Sequence, residues 1–135
     1  MPMKTMEAQR PIELILPAES RMLLIIRLMT AGVTARAGLT VDAVEDVKMA
    51  VEEACNCLLR CACCESLKLS FSSADGVLHI RVEGVGTPSE DVVPPGNCDE
   101  VQVIRFILES MVDDAHVIYD GSALSAIEMA KSLGA

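Results

Sequence analysis

Residues 40–64 read TVDAVEDVKMAVEEACNCLLRCACC. Val44, Val47, Val51, Ala54, Leu58 and Cys61 recur there at alternating steps of three and four. That spacing gathers them on one face of a long amphipathic helix. Thr40 suits the N-cap position, and Asp42, Glu45 and Asp46 set negative charge near the positive end of the helix dipole. Glu53 falls at the border of the apolar stripe. A carboxylate there is either a solvated edge residue or one aimed into a crevice between the helix and the layer it packs on.

Upstream of this helix, Ile12, Leu14 and Leu16 alternate as in a strand, and Pro17 ends it. Residues 20–37 read as another helix. Its segment Met22–Met29 is apolar nearly all round except at Arg27, which predicts burial on more than one side. Gly38 stops it, and so short a join makes the two helices neighbours. Downstream, Leu67, Leu69 and Phe71, then Leu78, Ile80 and Val82, alternate with polar residues on either side of Asp75-Gly76. This is the signature of a hairpin with a type I′ turn. Residues 84–97 have loop composition. Residues 99–112 form a third helix with a stripe of Ile104, Ile107, Leu108 and Met111. Residues 116–119 form a short strand, Asp120-Gly121 a turn, and residues 122–131 look helical by propensity. Met1–Arg10 is expected to be a loose tail, and residues 11–135 a single domain without internal repeat. Hairpin-joined strands with about three helices on one face predict a two-layer α/β sandwich with a mainly antiparallel mixed sheet.

Composition bounds the function. In 135 residues, 51% hydrophobic and 23% charged, the chain is globular rather than disordered. Aromatics reach only 2% and Trp is absent, so the core is aliphatic with Met and Cys, and stacking on single-stranded nucleic acid is disfavoured. A net charge of −9 disfavours any broad phosphate-binding surface, so direct nucleic-acid binding is not expected. Residues 1–10 lack the apolar core of a secretory signal, and no run of 18 apolar residues exists. A cytoplasmic location without membrane contact is expected, and the six cysteines should be reduced unless they bind metal or respond to oxidants.

The stretch EDVKMAVEEAC, residues 45–55, resembles the signature helix of the anti-sigma factor serine kinases. These are a branch of the ATPase family of gyrase, heat-shock chaperones, histidine kinases and mismatch-repair proteins. The resemblance runs from IELILPAES, residues 12–20, to the last segment. It implies the histidine kinase-like ATPase fold, with residues 122–131 as a strand rather than a helix. It also implies ATP and magnesium as cofactors. Glu53 matches the family's base. The family's magnesium-holding Asn falls on Cys57, and Asn56, one place early, lies about 100° round the helix. The family's Asp-x-Gly-x-Gly turn falls on Val82, Gly84 and Gly86. The valine cannot accept the adenine amino hydrogen bond, a loss of about 1–3 kcal/mol. Glu83 faces the other way on a strand. Of the phosphate loop, PPGNCDE at 94–100 keeps Gly96 and adds Asp99 and Glu100. The segment 87–98 is short for a family lid. The expectation is therefore a degenerate, pseudokinase-like regulator without a cofactor, with an active serine kinase of non-standard ATP site as one alternative. Arg27 matches the arginine with which the family grips a sigma factor or an anti-anti-sigma factor. From the residues alone, Arg27 either reaches a partner or lays its stem along the core edge. The family also pairs as homodimers.

The cysteines carry a second alternative, a metal- or redox-responsive sensor. Cys55, Cys57, Cys61, Cys63 and Cys64 crowd ten residues, with Cys98 distant. On a continuous helix Cys57, Cys61 and Cys64 share a face, and with Cys98 could hold zinc or an iron–sulfur cluster. The plainer reading is small buried core residues. His79 and His116 are isolated.

Overall fold

The computed structural model describes residues 10–62, 64–86, 99–121 and 123–134. Its central helix, α2, spans Val41–Cys61. The Thr40 side chain caps it, accepting a hydrogen bond of 3.2 Å from the Ala43 N–H. The stripe read from the sequence faces inward: Val47, Val51, Ala54, Leu58 and Cys61 are buried, joined by Ala50, Cys55 and Cys57. Val44, nearer the start, is only partly covered. The helix ends at Cys61 because Ala62 turns to extended backbone. Cys64 therefore lies off the helix, and the shared face expected for Cys57, Cys61 and Cys64 does not form.

Helix α1 spans Leu23–Arg36 after a 3-10 turn at Ser20–Met22. Here the expectation of burial on several sides fails. Ile26, Thr30 and Thr34 are buried, but Leu24, Ile25 and Leu28 are 59%, 46% and 65% exposed. A single helical layer has an outer side, and no described element covers this one. The two buried threonines satisfy themselves locally, donating at 2.7 Å to the Ile26 and Thr30 carbonyls one turn back.

Five strands form one sheet: β1 (Ile12–Pro17), β2 (Ser66–Ala74), β3 (Val77–Val85), β4 (Asp114–Asp120) and β5 (Ala123–Ser132), in the order β1-β2-β3-β5-β4. Every described pairing is antiparallel, in keeping with the mainly antiparallel sheet expected. The β2–β3 turn has the expected form, with positive φ at Asp75 (54°) and Gly76 (76°). Gly84 and Val85 belong to β3, so the loop begins later than composition suggested. The helical look of residues 122–131 is overridden, because β5 pairs on both edges and buries Leu124, Ile127 and Met129.

Register lines up an apolar row across all five strands: Leu14, Leu69, Val82, Ile127 and Val117. A second row holds Ile12, Phe71, Ile80, Met129 and Ala115. Both rows face the helices. The opposite sheet face carries ion pairs beside exposed Ile15 and Val85: Lys68 pairs with Glu13 at 3.5 Å, and Arg81 pairs with Glu128 and, at 3.4 Å, with Glu83. Burial works against the Arg81 charge, but hydrogen bonds to Glu128 and Glu83 outweigh it and raise the pKa.

Helix α3 spans Asp99–Glu109, shorter than expected. Its buried line is Val101, Ile104 and Leu108, continued by Val112 beyond the helix, while Ile107 is exposed. Helix α2 touches α1, α3, β3 and β5. Nearly all of the tail and the whole segment 87–98, with Gly96 and Cys98, lie outside the described residues.

Candidate functional site

Glu53 sits on α2, partly exposed. It shares its side of the helix with Ala50 and Cys57, three residues back and four on, and both are fully buried. The carboxylate thus stands at the rim of the core, and among the described residues no hydrogen bond or ion pair holds it. Cys57 is buried at 0% exposure, so the position matching the magnesium ligand is core. Asn56 is partly exposed, one residue out of phase.

On β3, Val82 is also at 0% exposure, in the middle of the five-strand apolar row. Glu83 points to the polar face, where it holds Arg81. The pairing of β3 runs without a bulge, so nothing turns Glu83 toward the helices. Gly84 and Gly86 are tight for a local reason. A Cβ on Gly84 would lie 2.9 Å from the Cys64 Cβ, and one on Gly86, at φ +85°, would lie 2.7 Å from a Glu65 carboxylate oxygen. Glu65 is held there by backbone bonds, its N–H donating to the Val85 carbonyl at 3.0 Å and its carbonyl accepting from the Ala18 N–H at 2.9 Å. The two glycines let the chain after α2 lie against the end of β3.

The sequence profile of the histidine kinase-like ATPase domain matches residues 16–131. The chain belongs to this family. Curated relatives from Bacillus thuringiensis, Bacillus cereus and Bacillus anthracis, each a serine-protein kinase RsbW, are 28% identical to it, over 85% of this chain and 81% of theirs. At the two positions that the resemblance aligns with the magnesium and adenine contacts, Cys57 and Val82, the chain offers no oxygen ligand and no side-chain acceptor. A ligand to a hard cation must offer oxygen in place of water, and a buried thiol offers only soft sulfur. A buried valine offers adenine no acceptor.

Arg27 is exposed at the surface. It is engaged from within the chain, however. Its guanidinium holds Glu52 by two bonds, Nε to Oε1 at 2.5 Å and Nη2 to Oε2 at 3.0 Å. The pair ties α1 to α2. The hydrogen bond from Arg27 lowers the Glu52 pKa against the opposing effect of burial, and the Arg27 pKa is raised. Glu52 went unremarked in the sequence because the two residues lie 25 positions apart.

The metal alternative meets specific obstacles. Cys57 and Cys61 are buried in the core, Cys61 is disulfide-bonded, and Cys64 is off the helix. The disulfide departs from the reduced state expected of cysteines that neither bind metal nor respond to oxidants, while Cys55, Cys57 and Cys64 form none. Burial, helped by the Glu52 charge, pushes the Cys55 thiol up to about 12, so it stays protonated at neutral pH. Among the described residues no group of three His, Cys, Asp or Glu could hold a metal. Cys98 lies outside them.

Two outcomes follow from these contacts. Gly84→Ala drives a methyl onto Cys64 and is expected to cost about 1–3 kcal/mol in urea unfolding. Cys64→Gly in the same chain should return part of that loss. For Glu52 the folded pKa lies below the ordinary glutamate value near ~4.3. Its contribution to stability is thus present above that value and lost as pH falls through the lowered one. The stability difference between wild type and Glu52→Gln, read from thermal melts at successive pH, should be constant above the ordinary glutamate range and shrink as pH falls below it. Its size is that of a surface ion pair, small and weakened by salt.

Proposed function

We propose that the chain is a regulatory domain of the anti-sigma type that works by gripping a protein partner and has a degenerate nucleotide site. The observation that carries this reading is the burial of Cys57 and Val82. The two positions from which the resembling kinases hold magnesium and adenine are here spent on the core. Relatives that are serine-protein kinases support descent from that activity. Glu53 keeps the place of the family's base at the core rim, and in the rival reading, an active serine kinase, it would take the proton of a partner serine hydroxyl.

The partner surface is the outer side of α1. Arg27 is poised there beside exposed Leu24, Ile25 and Leu28. An acidic segment of a sigma factor or anti-anti-sigma factor could take Arg27 over from Glu52, exchanging one carboxylate for another at little electrostatic cost. The same three aliphatic residues give a homodimer an apolar seam.

Calorimetric titration of magnesium ATP and magnesium ADP into the pure protein tests the nucleotide half. Binding no tighter than about 100 μM, roughly −5.5 kcal/mol, is expected. Tighter binding that Glu53→Gln leaves intact while abolishing phosphate transfer to a serine would replace this reading with the active kinase. For the seam, sedimentation velocity should show a dimer in the wild type and a monomer in Leu28→Glu. A wild-type monomer at every concentration would remove it.

A further inference from the structure

The opposite end of the sheet from Gly84 holds a cavity of about 310 Å³. Leu78 lies in its wall, six residues back along β3 from Gly84, so the two places are about 20 Å apart. Val33 of α1, Phe71 of β2, Leu78 of β3 and Leu133 just past β5 make its apolar lining. Arg10 and Arg36, both exposed, line it as well. Neither arginine has an ion pair or hydrogen bond to any side chain among the described residues. Arg21, Arg27, Arg81 and Arg105 are each paired with a glutamate. In a chain with 20 acidic and 11 basic residues, two unclaimed guanidiniums beside one hollow of mixed polar and apolar lining are out of keeping with the rest of the surface.

We propose that this cavity binds a small organic anion with an apolar body, a medium-chain carboxylate. The volume is at the lower end of small-molecule sites, which combine apolar walls with a few polar groups that fix orientation. Guanidinium and carboxylate match as planar, two-pronged partners. Two arginines matter because Arg36 also sits in the last turn of α1, where the helix carbonyls carry partial negative charge. That charge opposes an anion and offsets part of the Arg36 attraction, and Arg10 restores it. The alkyl chain then lies over exposed Ile12 and partly exposed Val33 and Leu133, removing apolar surface from water. The site is independent of the nucleotide positions, and its fate does not depend on theirs.

The test is a titration of the isotope-labelled full chain with sodium octanoate below its micelle concentration, followed by amide NMR, with octanol as the neutral control. Saturable shifts are expected at Val33, Phe71, Leu78 and Leu133, with the Glu53 and Gly84 amides unmoved. Octanol should bind about tenfold more weakly, and so should octanoate to Arg36→Gln or Arg10→Gln. Rising salt should weaken octanoate alone. The spectra of the free variants show whether they remain folded. Equal binding of octanol and octanoate, undiminished binding to a folded Arg10→Gln, Arg36→Gln double variant, or no saturable shifts at this cavity would each overturn the proposal.

Discussion

The packing of one face of α2 on the sheet is the constraint from which the other features follow. Its buried residues meet the apolar rows of β3 and β5, and α1 and α3 also pack on the helix. Full burial of a Val or Leu side chain contributes about 1.5–3 kcal/mol, and Val47, Val51 and Leu58 each have that burial. With almost no aromatic residues available, small side chains let the helix approach closely. Ala50, Ala54, Cys55 and Cys57 occupy the contact, and Phe71 is the one large ring in the core.

That packing bears directly on chemistry. The positions that the resemblance aligns with the family's nucleotide contacts lie in the same helix–sheet contact, where polar groups compete with the core for position. At residue 82 an aspartate without a nucleotide would be a buried, unpaired charge, which is costly; valine in the middle of the apolar row is not. At residue 57 a thiol packs as a small apolar group. On the reading proposed above, losing the ligand and filling the core are one change seen from two sides. The glycines remain because they answer to a different demand, the close passage of Cys64 and Glu65 along the end of β3.

Charge is managed on surfaces rather than in the core. The sheet face away from the helices carries crossed pairs of Glu13 with Lys68 and of Arg81 with Glu83 and Glu128, which explains how it stays wet without a covering layer. The outer side of α1 is handled differently: an ion pair between Arg27 and Glu52 stands beside three exposed aliphatic residues. On α1 the apolar residues cluster round a single charge pair, whereas on the sheet face ion pairs are spread along the strands.

Periodicity determined much by itself. The inward face of the central helix, its Thr40 cap, the Asp75-Gly76 hairpin and the alternation in β2 and β3 were all legible, because each rests on neighbours a few residues apart. The burial of Val82 was legible in the same way, as one beat of a strand. The resemblance of residues 45–55 supplied what pattern could not, that residues 122–131 form a strand. Only the tertiary structure decided the rest. Whether a nearly all-apolar helix is enclosed depends on how many layers the fold has, so Leu24, Ile25 and Leu28 came out exposed. Where α2 stops depends on the turn into β2, so Cys64 left the helical face. The partner of Arg27 and the cavity beside Arg10 and Arg36 join segments far apart in the chain. Such contacts leave no local periodicity, because the chain's folding path rather than its spacing brings them together.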